Sequence, residues 1–327
     1  MSFLRHKSGP IVYGLLALLL AVACVSSVLT GPAQLGWSET WNKGIFGLRA
    51  ARILMAAVAG AGLSVAGVVF QSLLRNPLAE PYVLGVTAGA GLGAALAIVT
   101  GIAIFGLWTV PGMAFVGALG TILLVQAMAR GASGAVPVET MLLAGITVSA
   151  VLNSLLMFVV SIAPSEQLHG VVWWLLGNLQ VVDWRLLEIV ASVVAAGLAV
   201  AIFCARDLNL MALGDEPATH LGLNVTRSRN MFFIVASLVT GATVASCGII
   251  GFVGLIVPHA VRLIVGPDHR RLISASALAG AAFLVLADCL ARTLLTQSEI
   301  PIGVVTALFG GPLFLMLLRK HKAATEC

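Results

Sequence analysis

Charge is what this sequence has least of: Asp, Glu, Lys and Arg make up 9% of its 327 residues, against roughly a quarter in an ordinary soluble chain. So little polar surface cannot coat a soluble domain or two, and the soluble globular class is excluded. Lysine is the scarcest cation, present only at Lys7, Lys43, Lys320 and Lys322, and none of these follows a glycine. A Walker A phosphate loop needs Gly-Lys, so the chain has no such loop of its own at which to hydrolyse nucleotide. The six histidines (His6, His169, His220, His259, His269, His321) lie at segment ends or in loops without metal-ligand spacing. The five cysteines show no C-x-x-C pair, which fits small buried hydrophobes rather than disulfides or metal sites. No apolar stretch carries repeated Asp, Glu or His of the kind that builds a proton relay or ion-coupling site. Nor is there a pair of short, Gly/Pro-broken spans in matched halves, the mark of many secondary transporters.

What is present is apolar. Such residues make up 60% of the chain and mean hydropathy is +1.07, values that exclude disorder. Spans of roughly 20 apolar residues are expected at about 11–29, 53–74, 82–105, 108–128, 140–162, 185–205, 229–246, 248–265, 273–293 and 301–318. Arg5 and Lys7 before the run Ile11–Val25, with Leu20–Cys24 faintly like a lipoprotein cleavage site, imitate a signal peptide. The run is long enough to span and many others follow, so it reads as an uncleaved first helix. Ten spans put both termini on one side. With the termini cytoplasmic, thirteen Lys and Arg lie inside, and Lys43, Arg49, Arg52, Arg185 and Arg292 lie outside, which is the favoured sense. All six tryptophans (Trp37, Trp41, Trp108, Trp173, Trp174, Trp184) then fall near the outer face, as an interfacial belt does. Small residues repeat every fourth position at Ala56-Gly60-Ser64 and at Gly85-Gly89-Gly93, predicting closely packed helices. Asp288 and Arg292 stand four apart and can pair on one helix face.

Two cytoplasmic segments carry more information. Arg206–Arg229 has apolar Leu208, Leu210 and Leu213, a break at Gly214, then Asp215-Glu216-Pro217 opening a second turn of helix and Gly222 closing it. A solvated connector needs no apolar residues at helical spacing, so a docking surface for a cytoplasmic partner is the better reading. Arg75–Gly85 (RNPLAEPYVLG) is barred from regular helix by Pro77 and Pro81. It is either a plain turn or, with Asn76 and Glu80, a rigid hinge or gate.

These segments, with others, resemble the FecCD family of ABC-importer permeases. The motifs are Q-x-x-x-R-N-P-L-A-E-P at Gln71–Pro81, L-L-A-G at Leu142–Gly145, W-x-L-G at Trp174–Gly177 and A-L-G-D-E-x-A-x-x-L-G at Ala212–Gly222. There follow G-x-I-G-F-V-G-L-I-V-P-H-x-x-R at Gly248–Arg262, D-H-R at Asp268–Arg270, A-D-x-x-A-R at Ala287–Arg292 and E-I-P-I-G-V-V-T-A at Glu299–Ala307. Eight motifs in order cover nearly the whole chain.

The resemblance implies an all-α polytopic membrane protein of about ten transmembrane helices with the type II ABC-importer permease fold, residues 1–327 forming a single permease domain. It implies a permease homodimer or heterodimer, two cytoplasmic ATP-binding subunits and an extracytoplasmic substrate-binding protein, in a bacterial inner or plasma membrane. This chain would bind no cofactor and no metal; ATP and magnesium belong to the partner ATPase, so it is a transport subunit and not an enzyme. The loop Leu210–Gly222, with Leu210, Leu213, Gly214, Asp215, Glu216, Leu221 and Gly222, matches the helix pair that couples to the ATPase. Arg49, Arg52 and Arg292 match arginines that meet carboxylates of the binding protein, although Ala50-Ala51 replaces the frequent Leu-Pro between the first two and shifts the expected helix start. Asn76 and Leu78, and in the next loop Val138 and Glu139, match the inner gate, with Thr147, Ser149 and Asn153 as pathway residues of the fifth span. The implied cargo is a bulky metal chelate, iron–siderophore first, then cobalamin or haem; the alternative class is a self-sufficient secondary transporter.

Overall fold

The computed structural model describes residues 9–30, 43–129, 138–181, 183–295 and 299–325; Arg5, His6, Lys7, Trp37, Trp41, Arg130 and Cys327 lie outside them. Helix accounts for nearly all of it, because in hydrocarbon every backbone polar group must be satisfied within the protein. Thirteen α-helices are described: α1 (Gly9–Leu29), α2 (Lys43–Leu73), α3 (Val86–Thr100), α4 (Thr109–Ala129), α5 (Val138–Ile162), α6 (Ser165–Leu175), α7 (Trp184–Phe203), α8 (Ala205–Met211), α9 (Asp215–His220), α10 (Val225–Cys247), α11 (Val253–Val265), α12 (His269–Thr293) and α13 (Ile302–Thr325). Seven apolar helices are long enough to cross a membrane, and α3, α11 and the first part of α13 are shorter apolar helices. Together they match the ten expected crossings.

α2 is the mast. Its 31 residues extend roughly 46 Å at 1.5 Å per residue, well beyond the ~30 Å hydrocarbon core, and α7, α10, α11 and α12 pack along it. Close approach explains the small residues. A Cβ at Gly60 would lie 2.2 Å from the Gly280 carbonyl oxygen of α12, and one at Gly89 would lie 2.4 Å from that of Gly117 on α4. Both predicted stripes therefore sit where two backbones touch, the packing that bilayers favour.

Two spans are interrupted, contrary to expectation. The span expected at 82–105 opens with a 3-10 turn at Pro81–Leu84 and is helical only from Val86 to Thr100. The span expected at 248–265 begins with non-helical Gly248–Phe252, where Gly248 and Phe252 both have φ of 69°. The two breaks bond to each other: the Glu80 carboxylate accepts from the Phe252 N–H at 2.7 Å, and the Tyr82 hydroxyl accepts from the Ile250 N–H at 2.9 Å while donating to the Ile250 carbonyl. Irregular backbone away from water is thereby satisfied by protein groups. The prolines announced the first break; the second hides in an unbroken apolar run, where hydropathy has nothing to register. His259, expected at a segment end or in a loop, instead lies midway along α11 and is buried.

Candidate functional site

Three groups of expected residues can be placed. At one end of the bundle, where α1 and α12 finish and α2 begins, the three arginines come together. α2 begins at Lys43, so Arg49 and Arg52 lie inside a helix, one turn apart on one face. Asp288 of α12 is fully buried and accepts from Arg52 Nε at one oxygen and Arg292 Nε at the other, each at 2.9 Å. Arg52 Nη1 also bonds both oxygens of Glu299, at 3.1 and 2.9 Å. Arg292 is only 3% exposed and spends its remaining donors on the Thr30 and Ser27 carbonyls and the Ser27 hydroxyl. Arg49 donates to the Val28 carbonyl at 2.7 Å. The cluster thus ties α1, α2, α12 and the Glu299 segment into one unit. Sequence reasoning found the Asp288–Arg292 pair but missed the links from Arg52 to Asp288 and Glu299, which span more than 230 positions and have no local spacing signal; the E-I-P-I-G motif was the only pointer.

At the opposite end, α8 and α9 form the expected helix pair. Leu208 and Met211 are buried and root it in the bundle, whereas Leu213 and Leu221 are exposed and Leu210 is half-buried. Gly214 (φ 121°) supplies the break before Asp215. Gly222 (φ 84°) follows the last helical turn rather than ending it: Leu221 is the cap, and the Leu223 and Gly222 N–H groups return to the Ala218 and Thr219 carbonyls at 3.0 and 2.9 Å, a Schellman closure that needs a left-handed residue there. Glu216 is exposed. Asp215 turns inward: both carboxylate oxygens accept from Arg229 Nη2 of α10 at 2.7 Å, and Oδ1 also accepts from Arg75 Nη2, just beyond α2. Partial burial pushes this carboxyl up, but the hydrogen bonds and charges of Arg229 and then Arg75 outweigh it and hold the pKa below the ordinary aspartate value. On α8, Asn209 accepts from the His269 backbone N–H at 3.0 Å and lies 2.7 Å from His269 Nδ1, while His269 Nε2 meets the Ser72 hydroxyl of α2. Asp207 accepts from the Ser228 hydroxyl of α10 at 3.3 Å.

The residues expected at the gate and along the path fall in two places: the turn after α2, next to Arg75, and α5. Asn76 caps its own turn by accepting from the Leu78 N–H at 2.9 Å, and both side chains are exposed. On α5, Val138 is half-buried at the first position and Glu139 is exposed beside it. Thr147 and Asn153 are exposed, along with Leu143, Ile146, Val151 and Phe158. Ser149 is different: its hydroxyl donates to the Gly145 carbonyl at 2.6 Å, and it packs on Gly85, where a Cβ would come within 2.8 Å of its oxygen. Its contacts are therefore with this chain's own bundle. Among the described residues no group of three His, Cys, Asp or Glu is placed to hold a metal ion.

The FecCD transport family model matches residues 18–320. The chain is 42% identical to the cobalamin import system permease protein BtuC of Halobacterium salinarum over 89% of its own length and 77% of that protein's. It is 35% identical to the hemin transport system permease protein HmuU of Yersinia pestis, covering 95% of this chain and 96% of the relative. A solved structure described as an inward-facing metal-chelate type ABC transporter superposes with a TM-score of 0.87 at 32% identity, over 96% of this chain and 100% of that one. With ten apolar crossings, a helix pair rooted in the bundle and no Walker A loop, this chain belongs to the FecCD transport family and is the membrane-spanning transport subunit of an ABC importer, its ATPase a separate chain.

Proposed function

We propose that this permease carries an intact metal chelate into the cytoplasm, with a metal tetrapyrrole of the cobalamin or haem kind as cargo. The observation that carries the reading is the 42% identity to a cobalamin permease over 89% of the chain, supported by the haem permease relative. The exposed face of α5 agrees, since uncharged Thr147, Asn153 and Ser154 stand there among large apolar groups. Such a face slides past a bulky ligand without binding it tightly, and leaves recognition to another subunit. Iron–siderophore is the second reading, favoured by the match to a metal-chelate type transporter.

In the assembly we envisage, two permeases, identical or related, pair around the path. Two ATP-binding subunits dock on the cytoplasmic α8–α9 pair, and a binding protein docks on the outer face. Exposed Leu213, Leu221 and Glu216, with half-buried Leu210, are the surface offered to the ATPase; Asn76, Leu78, Val138 and Glu139 stand at the inner mouth. The excess of cations on the loops assigned inside supports cytoplasmic termini. Arg49 is the outer arginine most able to meet a carboxylate of the binding protein, because Arg52 and Arg292 are already paired. The permease makes and breaks no covalent bonds; ATP, cargo and binding protein shift it between conformations by binding them unequally.

The test is reconstitution in proteoliposomes with an ATP-binding subunit and a binding protein from the same organism, measuring ATP-driven uptake of cobalamin, haem and a ferric siderophore. Cobalamin or haem uptake supports the first reading and siderophore uptake alone the second. No ATP-dependent uptake of any of the three sinks both.

A further inference from the structure

Asp215 stands in the segment assigned to ATPase coupling, yet its carboxylate faces the permease. We propose that Asp215 is a positioning residue that transmits movement of the α8–α9 pair to the Arg75–Leu78 turn at the inner mouth. This rests on the reading of α8–α9 as the ATPase docking element.

Four observations carry it. First, Arg75, with φ of 45°, is the left-handed residue of a Schellman closure at the end of α2, where the Arg75 and Asn76 N–H groups return to the Ser72 and Gln71 carbonyls at 3.3 and 3.1 Å, so the turn is fixed to α2 and the Arg75 side chain projects from a defined point. Second, the Arg75 side chain is held by the helix pair: Nη2 donates to Asp215, and Nε to the Met211 carbonyl at 3.3 Å. Third, the two arginines on Asp215 are unlike. Arg229 is 7% exposed and bonds both oxygens, so it keeps Asp215 on α10. The Arg75 side chain is 41% exposed and its Asp215 partner 50%, so that contact is open to solvent and can part while the other stays. Fourth, Arg75 adjoins Asn76, whose side chain and carbonyl shape the turn through the Leu78 and Ala79 N–H groups. When the contact to Asp215 parts, the turn stays fixed to the end of α2 by its own backbone bonds but is no longer tied to the helix pair, so the two can move apart. A second strut, Asn209–His269–Ser72, joins α8 to the same end of α2 through α12, so the helix pair grips the end of α2 at two points.

The experiment uses the complete reconstituted transporter and reads three quantities: ATPase retained on purification, ATP hydrolysed, and cargo moved per ATP. Asp215→Asn and Arg75→Ala should keep the ATPase bound and hydrolysing, while cargo moved per ATP falls at least tenfold. Arg75→Lys, which keeps the charge, should recover much of the loss. Arg227→Gln, which removes an exposed cation from the same face, should match the wild type. Wild-type cargo per ATP in Asp215→Asn overturns the proposal. So does loss of the ATPase from that variant, since it would place the carboxylate at the subunit contact. Leu213→Asp with Leu221→Asp tests the underlying reading separately: if that pair retains the ATPase, the docking assignment fails and not the strut.

Discussion

The two charged clusters of this permease use the same chemistry at opposite faces and differ in burial. At the end assigned outside, Asp288 is fully buried between Arg52 and Arg292, and Glu299 pairs with Arg52 as well. At the end assigned inside, Asp215 faces Arg75 and Arg229, and the Arg75 half of that triad is open to solvent. A buried, charge-balanced cluster cannot be opened without leaving a desolvated charge uncompensated, so it fastens helices. An exposed pair is worth little and exchanges easily with water, so it suits a part that must move. The difference separates a fastener from a joint, and mutations can test it.

The largest effect is expected from Asp288→Ala. It strips the shared partner from two arginines, one almost wholly enclosed, and removing one member of a buried ionic group costs about 3–5 kcal/mol. Thermal unfolding of the purified permease in detergent should show a large fall in midpoint. A midpoint near the wild-type value would mean the outer cluster is no fastener. Next in size is Arg49→Glu on the proposed docking face. Among the described residues Arg49 holds a single carbonyl, that of Val28, so reversing it should weaken binding-protein docking about tenfold, or ~1.4 kcal/mol, chiefly through the association rate and more at low salt. The melting midpoint should hold. Arg292→Glu should do the opposite, lowering stability first and docking only as a consequence. If both variants lose docking equally with stability intact, the buried arginine is reaching the partner after all.

How much of this was legible in the sequence follows from the range of the interactions. Ten crossings, the glycine stripes and the Asp215 helix start are local patterns, carried by hydropathy, four-residue spacing and capping chemistry, and all are present. The roles proposed for Arg49, Arg52 and Arg292 and for the Leu210–Gly222 loop come from motif resemblance. What could not be read was which way a charge points. Asp215 looks outward in sequence because it opens an exposed helix, and only the fold brings Arg75, 140 positions away, against it. Ser149 looks like Thr147 until Gly85 is seen beside it. The break at Gly248–Phe252 carries no polar residue, and its partner groups, Glu80 and Tyr82, lie about 170 positions earlier.

A smaller effect tests the joint against the fastener. Asp215→Asn should change the melting midpoint far less than Asp288→Ala, because an exposed ion pair contributes no more than about 1 kcal/mol. It should nevertheless be the more damaging of the two to cargo moved per ATP among properly folded molecules. A fall in midpoint comparable to that of Asp288→Ala would show that Asp215 fastens rather than transmits.

The smallest effect expected is on pH dependence, and its sign follows from Asp215 being held below the ordinary aspartate value. A carboxyl whose folded pKa is depressed contributes stability that is fully present above its unfolded value, ~3.9, and is lost only as pH falls through the folded value. The joint is therefore fully charged across the range in which the transporter works, and protons cannot release it there. Salt can, since an exposed pair is screened over a Debye length of ~8 Å at physiological ionic strength and less at higher salt, whereas the buried outer cluster is shielded from it. Cargo moved per ATP should thus be flat between about pH 6 and 8 and fall as salt rises, and Asp215→Asn should remove the salt dependence. A step near neutral pH that disappears in Asp215→Asn would show a proton-operated joint and overturn the comparison.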